Sequence, residues 1–179
     1  GLTPISEYGM GQYFKDYLKN SSTLLGSYDN RKEEYNITSE VQSSTISYKE
    51  SVRGWSSFKS FVPEHALSVG NEYFTFKNSI PYLHHSNNAD RNNFYGIAYP
   101  STINVVLNDS PDVIKSFKTV KYEGSQSKVN QELTRVETGF YNLQNVDGWY
   151  VDLIKTDKQH GKVPEFIEKE GKWFNNIKG

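Results

Sequence analysis

His84 and His85 stand side by side, with Asp90 close behind and His65 upstream. Imidazole and carboxylate together are zinc-type ligands. The tandem arrangement works against a shared ion. On a strand, adjacent side chains leave opposite faces, so a site would need one of the pair joined by His65 and Asp90 through the fold. The histidines therefore read as structural or surface residues. Other chemistry is no better anchored. There is no G-x-S-x-G elbow for a serine nucleophile. The chain has no cysteine, which removes thiol nucleophiles, thiolate metal sites and disulfides. With 21 acidic residues, carboxylate pairs for glycoside hydrolysis always exist, but none has a distinctive setting. Gly124-Ser125-Gln126-Ser127-Lys128 lacks the glycine spacing of a phosphate loop and reads as a turn. No catalytic, cofactor-binding or metal residue is assigned, no cofactor is expected, and the chain reads as a non-enzyme, with a hydrolase a distant third choice.

Aromatic residues offer a second kind of function. They make up 15% of the chain, and exposed coplanar rings stack on sugars or bases. That supports an alternative reading as a carbohydrate- or receptor-binding β module. Their placement inside alternating runs points instead to the core. The hydrophobic fraction is 35% with one Met, so Tyr, Phe and Trp are expected to supply most of the interior.

The elements that would hold these residues are strands. Residues 24–28 and 33–38 read as a hairpin across the turn-type segment Asp29-Asn30-Arg31-Lys32. Residues 45–50 form a further strand, with Ile46 and Tyr48 on one face. The stretch 54–78 is the strongest. Residues 55–62 carry apolar groups in both alternating sets, which predicts a strand covered on both sides and ended by Pro63. Residues 73–77 follow, with the Phe74/Phe76 face directed to the interior. Residues 80–85 return as a strand. After a polar loop over 86–93, strands are expected at 94–99, at 102–107 with Ile103, Val105 and Leu107 inward, and at 113–122 beyond the turn Asn108-Asp109-Ser110-Pro111-Asp112. Residues 123–139 read as loop. Residues 140–146 and 149–155 pair across Asp147-Gly148, and 156–163 is a polar turn. Helical signals are confined to the ends: Met10, Phe14, Tyr17 and Leu18 recur at helical spacing behind Ser6, and Pro164 opens a one-turn helix over 164–170.

The sum is a mainly β chain of roughly eight to ten short antiparallel strands, as in a sandwich, barrel or propeller. It divides into an N-terminal arm or short helix (1–23), a β-rich domain (24–163) and a C-terminal short helix with an aromatic clamp of Trp173 and Phe174 (164–179). The net charge of −1 is spread without blocks, which argues against nucleic acid or an anionic membrane surface as partner. No apolar run approaches the length of a membrane span. The chain starts at Gly1 and ends just after Trp173, Phe174 and Ile177, so a piece of a longer polypeptide is expected.

Several separated motifs, in order, carry a resemblance. They are GSYDNRKEEY (26–35), GWSSFKSFVPE (54–64), YFTFKN (73–78), RNNFYG (91–96), FKTVKYEGSQS (117–127), GWYVDLIKTD (148–157) and FIEKEGKWFNNIKG (166–179). The chain from about Leu24 onward resembles large virion structural proteins of tailed bacteriophages, the crAss-like and marine phages among them. The nearest likeness is to the C-terminal part of a tail or muzzle protein. The likeness implies a β-rich part of a multisubunit particle, without enzymatic activity, with other virion proteins and copies of itself as partners and a host-surface glycan as a lesser candidate. It implies location in the virion after assembly in the host cytoplasm, where an absence of cysteine is permissive. The sequence departs from the pattern at Ser79-Ile80-Pro81-Tyr82, where Pro81 marks an edge strand or altered turn. Residues before Leu24 have no counterpart.

Overall fold

A computed structural model of the chain describes residues 4–129, 147–163 and 165–179. The chain divides into two compact units, Gly1–Asn104 and Val105–Gly179.

The first unit carries a four-stranded antiparallel sheet in the order β1-β2-β3-β4: Leu24–Asp29, Glu34–Ser39, Ser44–Lys49 and Gly54–Lys59. The expected hairpin forms at its start, with Tyr28 opposite Tyr35. Its turn is set by Asp29, whose Oδ1 accepts the backbone N–H of Arg31 (3.0 Å) and Lys32 (3.1 Å), a local bond that Asp favours in turns. Ile46 and Tyr48 share a face and are buried, as read from the sequence.

The β4 strand differs from expectation. It ends at Lys59 and lies at the sheet edge. The register shifts between Ser47 and Tyr48, so that Ser47 faces Ser57 while Tyr48 faces Trp55. A bulge of this kind inserts one residue and flips the alternation. Trp55 and Phe58, which strict alternation places on opposite faces, therefore share the face of Tyr48 and Ile46. The strand is apolar on one face only.

Residues 4–23 cover part of that face. Ile5–Glu7 is a short 3-10 turn, and Gly11–Tyr13 is a single helical turn that widens into a π turn over Phe14–Leu18. The Trp55 indole donates to Ile5 O (3.0 Å), and ring pairs join Tyr8 to Tyr48, Phe14 to Trp55 and Tyr13 to Phe58.

A three-stranded sheet follows in the order β5-β6-β7: His65–Val69, Glu72–Lys77 and Ile80–Leu83. Between Pro63 and residue 73, where no strand was expected, lies β5, which pairs with β6 through a two-residue connection at Gly70 (φ 60°). In β6 the Phe74/Phe76 face is only half-buried, and Tyr73 and Thr75 point inward. The sequence reading had these faces reversed, because the interior they meet is polar. The Pro81 signal is sound. His84 N donates to Tyr73 O, and ladder bonds in an antiparallel pair recur at every second residue. The missing N–H of Pro81 thus faces the open edge of β7. Beyond it, β8 (Asn93–Phe94) and β9 (Ile97–Ala98) form a short hairpin. Tyr95 (φ 56°) and Gly96 (φ 83°) split the single strand expected there.

The second unit holds a sheet in the order β10-β14-β13 (Thr119–Tyr122, Lys172–Asn176, Ile167–Lys169) and a ribbon of β11 (Val151–Lys155) with β12 (His160–Val163). Residues 102–107 are exposed and join no sheet among the described residues, and of 113–122 only Thr119–Tyr122 pairs. The polar turn expected over 156–163 is shorter. The Thr156 hydroxyl accepts from Lys158 N (3.1 Å) and Gln159 N (2.8 Å), and the chain then returns as β12. The one-turn helix expected at 164–170 is absent among the described residues. Glu170 (φ 54°) and Gly171 (φ 73°) make a tight connection that folds β13 onto β14. The strand expected over 140–146 lies outside the described residues.

Candidate functional site

The inward face of the first unit is polar. Asn36, Thr38, Thr45, Ser47 and Thr75 are fully buried, with Asp29 and Ser39. Unpaired groups at such positions cost roughly 1–3 kcal/mol each, and each finds a partner here. Ser47 Oγ donates to Asn36 Oδ1 (2.6 Å), and Asn36 Nδ2 donates to Tyr73 Oη (3.4 Å), which lies 2.8 Å from Ser27 Oγ. Thr45 Oγ1 donates to Phe61 O (2.6 Å), so the proton shared with Thr38 at 2.6 Å comes from Thr38. Among the described residues no buried side-chain nitrogen or oxygen lacks a partner. These residues sit on β1, β2 and β3, whose registers place them opposite one another, and on β6 of the second sheet. A network of this kind fixes one arrangement of two sheets.

Two of the histidines singled out in the sequence, His84 and His85, bond to buried members of this polar interior. His84 is buried against Phe61, Tyr73 and Phe94. Thr75 Oγ1 accepts from Tyr95 Oη (3.1 Å) and lies 2.7 Å from His84 Nε2. Which of the two donates across that contact follows from the imidazole tautomer. Burial is the main cause that lowers the His84 pKa to about 4, and His85 adds to it. His85 (φ 60°) turns away and its Nε2 meets Asp29 Oδ2 at 2.6 Å. The adjacent imidazoles thus serve different partners. His65 on β5 and Asp90 are exposed and are not drawn to them. Among the described residues no three His, Asp or Glu side chains converge as metal ligands would. Asp29 was missed as a partner because 56 residues separate it from His85, and no local pattern spans that distance.

Glu64 has a structural post of its own. It accepts the backbone N–H of Asn78 (2.9 Å) and Ser79 (3.3 Å), which hold left-handed conformations. Those bonds place its carboxyl pKa below the usual range.

In the second unit, the 124–128 stretch is a turn. Tyr122 Oη donates to Gln126 O (2.9 Å), and Ser127 is fully buried beside Trp149 in a parallel bridge. The Lys128 ammonium lies 4.6 Å from the Tyr150 ring centroid. Tyr122 and Trp173 are near-parallel, 11° apart with centroids at 6.2 Å, and both are half-buried. A shallow depression lined by Lys158, His160 and Lys178 carries basic groups without a carboxylate.

With this geometry in place, a protein-family model described as the Crassvirus muzzle protein C-terminal domain matches residues 89–179. That span covers the whole second unit and the end of the first. No curated protein matches the chain.

Proposed function

The chain belongs to the Crassvirus muzzle protein C-terminal domain family, and on that premise we propose that it acts in particle assembly, through packing and strand pairing, with no chemistry of its own. As a member of that family it is a virion structural protein. The match over residues 89–179 carries the proposal. The side chains that could do chemistry support it: His84, His85 and Asp29 in the first unit are each held in a structural bond. Its partners are other virion proteins and copies of itself, and its place is the virion after assembly in the host cytoplasm. The test is whether the chain is a stoichiometric component of purified particles.

A second reading, carbohydrate binding, draws on one observation, the near-parallel Tyr122 and Trp173 rings. Ring faces in this arrangement suit a sugar. A glycan-array signal that disappears in Trp173→Ala would favour it, and an array without hits would count against it.

A further inference from the structure

Residues 101–108, Ser-Thr-Ile-Asn-Val-Val-Leu-Asn, carry no charge and hold the alternation of a strand. All eight are exposed, with Ile103 at 72%, Val106 at 90% and Leu107 at 65%. Both ends of the stretch are anchored. Asn92 Nδ2 donates to Ser101 Oγ, and Lys115 Nζ donates to Asn108 Oδ1 (3.2 Å) and Ser110 O (2.6 Å). Between the anchors, residues 102–107 make no hydrogen bond among the described residues. Backbone groups and β-branched side chains are thus presented together without a sheet, the state in which a strand adds to another edge.

The same chain has an edge that fits. β4 is six residues long, as are β1, β2 and β3, and residues 102–107 supply six more. From Gly54 to Phe58 the edge has no charged residue, and its outer side makes no backbone bond among the described residues. Charge is the usual protection of such an edge. The faces also agree. On β4 the bulge gathers Trp55 and Phe58 on one side and leaves Ser57 and Lys59 on the other. Phe58 remains 60% exposed despite its contact with Tyr13. A strand laid along this edge places Ile103, Val105 and Leu107 beside Trp55 and Phe58. Thr102 and Asn104 then stand beside Ser57, with Val106 as the one apolar residue on the polar side.

We infer that residues 102–107 form an arm that adds as a fifth strand to the β4 edge of a second copy of this chain. Among its described residues one molecule pairs neither the arm nor the edge, so every further copy brings the matching half. The contact joins unlike surfaces head to tail, which closes into a ring or runs on as a filament. The inference rests on the virion structural reading and names the surface through which copies pair.

The cysteine-free chain gives a clean test. Asn104→Cys and Ser57→Cys are placed in separately tagged copies, mixed and treated with a short bismaleimide. The expected product is a mixed-tag dimer, reduced at least tenfold when the arm also carries Val105→Asp. Sedimentation of V105D should show at least tenfold weaker self-association with an unchanged circular dichroism spectrum, since Val105 is exposed. A chain that stays monomeric, an oligomer indifferent to V105D and without the mixed-tag product, or, in a chain carrying both Asn104→Cys and Ser57→Cys, a cross-link formed only within single copies would each overturn the inference. None of these outcomes removes the chain from the virion, which particle composition decides separately.

Discussion

Tyr73 is the residue on which the interior of the first unit turns. Its hydroxyl meets Ser27 on β1 and Asn36 on β2 while its ring packs on His84. Tyr73→Phe keeps the ring and leaves the buried Asn36 and the half-buried Ser27 short of a partner, a loss of about 1–3 kcal/mol, read as a lower urea midpoint with an unchanged slope. His84 gives the same interior a pH dependence. Its folded pKa of about 4 lies below the 6.5 of a free imidazole. The unfolded chain therefore binds the proton first as pH falls, and stability drops between about 6.5 and 4, by roughly 3 kcal/mol at most. Above 6.5 the contribution is whole, and below 4 the loss is complete. Urea titrations across that window should show the fall in the native chain and a flatter profile in His84→Gln. The sequence shows the tandem pair but not its geometry: strand alternation sends adjacent imidazoles to opposite faces, whereas β7 ends at Leu83 and the two rings lie 6.1 Å apart, bonded to Thr75 and Asp29. It hid the rest. Buried threonines and serines look like surface residues until the strands that pair them are aligned, which is why Tyr, Phe and Trp were expected to fill an interior that Tyr48, Phe61 and Tyr73 share with Asn36, Thr45 and Thr75.

At the scale of elements, strands were legible where alternation and turn chemistry agree, as in the β1-β2 hairpin around Asp29. They were misread where a single residue changes parity. The extra residue in β4 moves Phe58 to the face of Trp55, and no local signal announces it. Glu170 and Gly171 offered both a helix stop and a hairpin connection, and pairing of β13 and β10 with β14 decides for the hairpin. Apolar alternation at residues 102–107 predicts a strand correctly in kind and cannot say whose sheet it joins. Tight packing can be tested at Gly148. A Cβ there would lie 2.3 Å from Ser127 C and 2.6 Å from Lys128 N, both backbone atoms that cannot swing aside. Gly148→Ala should destabilise the second unit by about 1–3 kcal/mol, the usual range for overpacking, seen as a lower midpoint in tryptophan fluorescence, since Trp149 lies next to the substitution.

At the scale of the molecule, two compact units share one chain, and the family match covers the second and the end of the first. The candidate site and the arm are read from different features: a satisfied polar interior where titratable groups are committed to structure, and an uncharged strand left without a sheet. Both fit the proposed role in assembly. Quantitative mass spectrometry of gradient-purified, protease-washed particles tests this most directly. Peptides from this chain should appear at a fixed, stoichiometric ratio to the major capsid protein. Their absence from purified particles, with abundance only in the infected-cell lysate, would contradict a role in building the virion.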